Sequence, residues 1–223
     1  MAVDEISGSV PERLVAAAVT LLADEGPSAI KVRSVAAACG LSTMVVYSHF
    51  GGVPELVSAV ADHGFEEFRR AFADVPATED PVTDLFTMAT RCRQIAQANP
   101  HLYDLMFGLS TRATYRPAAG AGSRLSGHSP AFQAAYAHVT AACARLVESG
   151  RISPAEPEVI AASVWSFVHG YVSLELADHF IEFKDPVTEV LVPMGVTFCV
   201  GLGDTRERAL ASHLAALSRY GTS

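Results

Sequence analysis

Residues 39–52 read "CGLSTMVVYSHFGG". Gly40 can turn the chain with positive φ at no steric cost, and two residues later Ser42 is a residue type that caps helices. A short, largely apolar run then leads into Tyr47, Ser48, His49 and Phe50, and two glycines follow. The stretch predicts a tight turn at Gly40 and a short helix from Ser42 to about Phe50. Leu41, Val46 and Phe50 are spaced to face inward from that turn and helix.

The flanks extend the pattern. "VRSVAAA" (32–38) reads as a short helix with Val35 inward. Before it, Ser9 followed by Glu12 is a capping-box spacing, Pro11 fits a first turn, and Leu14, Ala18, Leu21 and Leu22 form an apolar stripe that ends at "DEGP". After it, "GGVPELVSAVADHGFEEFRRAFADV" opens a fourth helix near Pro54 and carries it to about residue 73. Three short helices and a longer one, with a glycine-centred turn between the second and third, is the layout of a helix-turn-helix unit. Local packing alone also produces short helical hairpins, so spacing leaves both readings open.

Beyond "PATEDP" (76–81), a polar connection bounded by prolines, apolar spacing of three and four continues almost throughout. "STRATYRPAAGAGSRLSGHSP" (110–130) is the exception and reads as a long loop. A long helix is expected from 130 to about 149, another capped by Ser153, and two more through "DPVTEVLVPMGVTFCVGLG" and "DTRERALASHLAALSRY". The expectation is an all-α chain with a small domain at 9–69 and a larger helical domain at 80–223.

Composition narrows the functions. Of 223 residues, 50% are apolar and 18% charged, enough to bury a core, and the formal charge is −8. That balance argues against a generic, electrostatically driven nucleic-acid binder, though not against a few cations gathered on one face. Lys31 and Lys184 are the only lysines, so arginine must supply most phosphate contacts. Cys39, Cys92, Cys143 and Cys199 lie too far apart for metal-ligand spacing and read as structural thiols of a reducing compartment. The acidic start lacks a secretory pattern and no apolar run is long enough to span a bilayer, so a soluble cytoplasmic protein without a membrane partner is expected. No catalytic constellation stands out. The "GLSTM" serine is explained by capping, "GLGD" near residue 204 follows no strand, and His101 with Asp104 does not make a triad. Neither an enzyme, a cofactor nor a metal site is expected.

The first seventy residues resemble the N-terminal domain of TetR/AcrR-type transcriptional regulators, through "VRSVAAACGLS" and above all "VYSHFGGVPEL", which is close to that family's Tyr-x-His-Phe signature. The resemblance implies a homodimeric repressor that binds a near-palindromic, double-stranded DNA operator and holds a small-molecule effector in its C-terminal helical domain. By the same resemblance, Thr43, Met44 and Val45 approach base edges, with Ser42 at the helix start. Thr43 can donate or accept; Met44 and Val45 offer apolar contact to thymine methyls. Tyr47, His49 and Arg33 match phosphate-facing positions; the alternatives are packing for Tyr47, a helix-end cap for His49 and a solvated surface arginine for Arg33. Two departures stand out. Lys31 replaces the usual threonine cap of the second helix, losing the cap while offering a charge to phosphate, and Val53 replaces a lysine at the start of the fourth helix. These departures and the acidic balance keep a second class open, a helical interaction or small-molecule-sequestering protein whose reading face has decayed.

"VWSFVHGYVSLEL" (164–176) resembles the Trp-x-x-x-His-Gly helix of one subgroup of these regulators. Trp165 and His169, four apart, share a helical face. His169 reads as a core histidine, a ligand contact or, least of all, a metal ligand. The family's effector-lining helices correspond to 86–107, where Met88, Cys92, Tyr103, Met106 and Phe107 are either cavity wall or plain core, and Arg91, Arg93, His101 and Tyr103 could orient a ligand. The chemistry points to a small hydrophobic or aromatic effector with few polar anchors.

Overall fold

Helix starts follow a repeated dipeptide: an oxygen-bearing side chain followed by proline. In the computed structural model, which describes residues 8–107 and 129–220, Asp80 Oδ1 accepts the backbone N–H groups of Val82 (3.1 Å) and Thr83 (3.3 Å) at the start of α5. Asn99 Oδ1 accepts from Leu102 (2.9 Å) and Ser129 Oγ from Phe132 (3.1 Å). Proline at the first helical position lacks only an N–H that no intrahelical carbonyl would accept, so cap and ring cooperate. The N-terminal capping box forms as expected, with Ser9 N–H donating to Glu12 Oε2 at 2.8 Å. The loop expected at 110–130 lies outside the described residues up to 128.

Ten α-helices form among the described residues, and no strand. They are α1 (Val10–Glu25), α2 (Val32–Ala38), α3 (Thr43–Phe50), α4 (Val53–Ala73), α5 (Pro81–Ala98), α6 (Pro100–Phe107), α7 (Pro130–Glu148), α8 (Pro157–Leu176), α9 (Val192–Gly201) and α10 (Arg206–Tyr220). A π-helical turn, Val187–Leu191, leads into α9. Pro193 accounts for it: the ring cannot donate to a carbonyl one turn back and crowds it, and a widened turn relieves both faults.

The chain divides into two units. The first gathers Met1–Glu67 with Ala98–Gln133, the second Phe68–Gln97 with Ala134–Ser223. In the first, Leu14, Ala18, Leu22, Val35, Val46 and Leu56 are buried. Leu21 is only half-buried, and Ala17 takes its expected place in the stripe of α1. Phe65 meets Phe107 and Phe132 edge-on at 5.8 and 5.3 Å. The α-carbon of Gly64 sits against Met106 Sδ so closely that a β-carbon would force the methionine aside.

The second unit is tied by buried ion pairs. Arg151 donates from Nη1 to Asp80 Oδ1 (2.6 Å) and from Nε to Asp204 Oδ2 (2.7 Å), and Ser212 Oγ adds a bond to Asp80 (2.6 Å). These groups join the start of α5, the chain after α7 and the α9–α10 turn. Asp84, also buried, accepts from Thr78 and Arg145. Arg93 grips Glu175 through Nε at 2.8 and 3.0 Å, linking α5 to the end of α8. By length and composition α8 could cross a membrane, yet Ile160, Val164, Val168 and Tyr171 are buried within the unit. Ser153 does not cap α8. Pro157 sets the first turn, Glu156 takes the cap position, and the N–H of Ser153 is drawn instead to Leu202 O at 2.8 Å.

Candidate DNA interface and effector cavity

The turn expected at Gly40 forms with φ +66°. The N–H of Gly40 bonds Ala37 O (3.0 Å) and that of Leu41 reaches back to Ala36 O (2.9 Å), a Schellman closure that satisfies the last carbonyls of α2. Gly51, at φ +77°, ends α3 with an N–H bond to Tyr47 O (2.8 Å). Val46 is the inward anchor of α3 and is fully buried, whereas Leu41 and Phe50, expected beside it, are half-buried. An eight-residue helix one turn from the surface has room for one complete anchor, and its neighbours lie at the edge of the contact. Arg13 and Cys39 exchange bonds between α1 and α2, guanidinium to carbonyl at 3.4 Å and thiol to carbonyl at 3.5 Å.

What remains of α3 faces outward. Met44 is 70% exposed and Tyr47 50%. Thr43, Ser42 and His49 are exposed with them, Val45 is half-buried, and Arg33 and Lys31 are exposed at the start of α2. Ser42 takes the cap position of α3 but makes no side-chain cap bond, and Lys31 leaves α2 likewise uncapped by a side chain. The surface therefore carries hydroxyls, two cationic side chains, bare helix-start N–H groups and an exposed apolar pair. Such a set can bond phosphates and touch base edges.

The second unit holds a cavity between α4, α5, α7 and α8. Met88, Cys92, Trp165 and His169, all expected to contact a ligand, line it together. Phe72, Leu85, Ala89, Val139, Val164 and Val168 complete the wall, and of these Phe72 and Val139 lie on helices not expected to contribute. Of those two, Phe72 had a usable signal, since it continues the Phe65–Phe68 spacing along α4. Tyr103, Met106 and Phe107 belong to the first unit and do not line this cavity: Tyr103 and Phe107 pair at 4.8 Å and Met106 meets Gly64. The indole of Trp165 lies edge-on to Tyr136 (5.3 Å) and against His169 (4.2 Å). Burial holds His169 neutral, with its pKa lowered to about 3, and pushes the Cys92 thiol up, out of the reactive range. A second void shares Leu85, Ala89 and Val164 with the first and is closed by Phe86, Phe167, Phe198 and His213. His213 bonds Ala209 O through Nδ1 at 2.7 Å, and it too is held below the usual histidine range, chiefly by burial.

Two family models match this chain. Residues 14–60 match the bacterial regulatory proteins of the tetR family, and residues 85–195 match the tetracyclin repressor-like C-terminal domain. The chain is thus a helix-turn-helix transcription regulator, and it belongs to the TetR family. No curated protein sequence matches it. Among solved structures, a protein of unknown function from Rhodococcus sp. RHA1 is 24% identical over 90% of this chain and 99% of its own, with a TM-score of 0.72. RolR in complex with resorcinol is 13% identical over 91% and 92%, at 0.66. PfmR from Thermus thermophilus, described as a TetR family transcriptional regulator, is 18% identical over 95% and 99%, at 0.50. At these identities the likeness is one of fold.

Proposed function

We propose that this protein is a cytoplasmic, homodimeric repressor, released from a near-palindromic operator by a small, mostly apolar effector. The observation that carries the reading is the outward face of α3. Met44 and Tyr47 stand exposed beside Thr43, with Arg33 one helix away, while Val46 anchors the opposite side. A short helix with apolar and hydroxyl side chains on its outer face and cations beside it fits the duplex major groove, which accepts such a helix.

The outer surface of α8 and α9 supports the dimer. Val159, Leu174, Met194 and Val200 are exposed, and an open groove runs past Val159, Ala162, Ser166, Phe167 and Phe198. Two copies related by a two-fold axis would bury this face and present two reading helices to two half-sites. The wall of Met88, Cys92, Trp165 and His169 supports an effector site, as does the ability of RolR, which shares the fold, to hold resorcinol. For the effector to release DNA it must bind better to a form whose reading helices have the wrong separation. The lever is α4, whose residues 53–67 belong to the first unit and 68–73, with Phe72 in the cavity wall, to the second.

Fluorescence anisotropy of labelled DNA flanking the protein's own gene tests this. Saturable binding well above that of a scrambled duplex, reversed by a small aromatic compound, is expected. Equal affinity for both duplexes would favour the protein whose reading face has decayed.

A further inference from the structure

The direction of α3 is set in the turn that precedes it. Between the end of α2 and Thr43 the chain passes through Cys39 (φ −94°, ψ −1°), Gly40 (φ +66°), Leu41 and Ser42 (φ −79°, ψ 154°). Rotation on either side of the peptide plane joining Cys39 to Gly40 swings everything that follows, α3 included. Glycine offers little steric resistance at one of those two bonds, so the turn depends on what holds the plane. Its amide side is held from within, by the bond from the Gly40 N–H to Ala37 O at 3.0 Å. Its carbonyl side is held from α1, where Arg13 Nη2 donates to Cys39 O at 3.4 Å. A peptide plane is rigid, and fixing both of its ends fixes both torsions.

The tie is reciprocal. The Cys39 thiol donates to Arg13 O at 3.5 Å, so the same two residues join α1 to α2 twice. Burial pushes the Cys39 thiol up and the charge of Arg13 opposes that push, which places the guanidinium close to the turn electrostatically as well as by its bond. A cation at the C-terminal end of α2 is also favoured by the helix dipole, and a charged donor makes the stronger hydrogen bond. Arg33 and Lys31 are exposed at the start of α2, whereas Arg13 is half-buried and turned toward the end of the same helix.

Resting on the reading of α3 above, we infer that Arg13 is a positioning residue for the reading helix: it sets the direction of α3 through the Cys39 carbonyl and makes no phosphate contact itself. The full-length protein and its Arg13→Met and Arg13→Lys variants are titrated with labelled DNA flanking the protein's own gene and with a scrambled duplex, by fluorescence anisotropy at several salt concentrations. Methionine keeps an apolar stem and removes every donor. Affinity for the flanking DNA should fall about tenfold, while that for the scrambled duplex stays within about twofold. The salt slope should not change, because no phosphate contact is lost. Lysine can still bring a charged donor to the carbonyl and should recover most of the loss. Amide hydrogen exchange reads the turn without DNA: Gly40 and Leu41 should exchange about tenfold faster in Arg13→Met, with the amides of α1 unchanged. A salt slope lowered by about one per head, with both duplexes weakened alike, would make Arg13 a phosphate contact and overturn the inference. Unchanged exchange at Gly40 in the folded variant would overturn it as well. Should the methionine variant not fold, Arg13→Gln, too short to reach the carbonyl, takes its place with the same expectations. A parent that binds both duplexes equally would sink the reading of α3 and the inference with it. A parent that discriminates between them, with Arg13→Met discriminating equally well, would sink the inference alone.

Discussion

Acidification should weaken this protein through His169 by an amount that can be worked out. Burial lowers its pKa from 6.5 to about 3, so across that interval the unfolded chain binds a proton that the folded chain refuses. Stability is then highest above pH 6.5 and falls as the pH drops through the interval, by at most about 1.4 kcal/mol per pH unit. Between pH 7 and pH 5 the loss from this one side chain comes to about 2 kcal/mol. For a chain of this length that corresponds to a fall in melting temperature of about 4–8 °C. His213, held low by burial, and Asp80, held low against its burial by Ser212, Thr83 and Arg151, also depend on pH, so the informative quantity is a difference of differences. Thermal melts of the parent and of His169→Leu at both pH values isolate it, because every other group cancels. The variant should lose about 4–8 °C less than the parent on going to pH 5. Equal losses would show that His169 takes a proton as readily in the folded chain as in the unfolded one, and would contradict its burial.

Other substitutions separate reading, scaffold and regulation. Arg33→Ala should weaken specific and non-specific DNA binding alike and reduce the salt slope by about one per contacting head, measured by anisotropy at several salt concentrations. Arg151→Met leaves the fully buried carboxylate of Asp204 without its cation, and a loss of about 3–5 kcal/mol is expected in urea unfolding. Cys92→Phe or Met88→Trp should fill the cavity and abolish effector release in the anisotropy assay while sparing DNA binding, provided circular dichroism shows the fold intact.

The DNA-reading head was the most legible part of the sequence because its signals are local. Gly40, Gly51 and the Ser9–Glu12 pair each set geometry within a few residues, and each forms as the sequence implies. Where a choice depended on distant partners, local pattern misled. Ser153 has the right chemistry for a cap, but α8 starts only at Pro157, and the backbone of Ser153 is held instead by its N–H bond to Leu202 O. The aromatic and methionine spacing from Phe86 to Phe107 looked like one lining; in fact Met88 and Cys92 face the cavity, while Tyr103, Met106 and Phe107 pack in the other unit. A break at Asn99–Pro100 turns the chain between them, and periodicity cannot carry a face across such a turn. His213 was passed over because a single histidine on α10 shows nothing of Asp80 and Arg151 nearby, which act on it through space.

Hydroxyl-radical footprinting of the full-length protein on DNA flanking its own gene tests most directly whether this chain is a dimeric operator binder. Two protected patches related by a dyad, centred about one helical turn or a small multiple of it apart, are expected, with both weakened in Tyr47→Ala or Thr43→Ala. Uniform, salt-sensitive protection without discrete patches, unchanged by either substitution, would contradict the assignment of α3 as a reading helix.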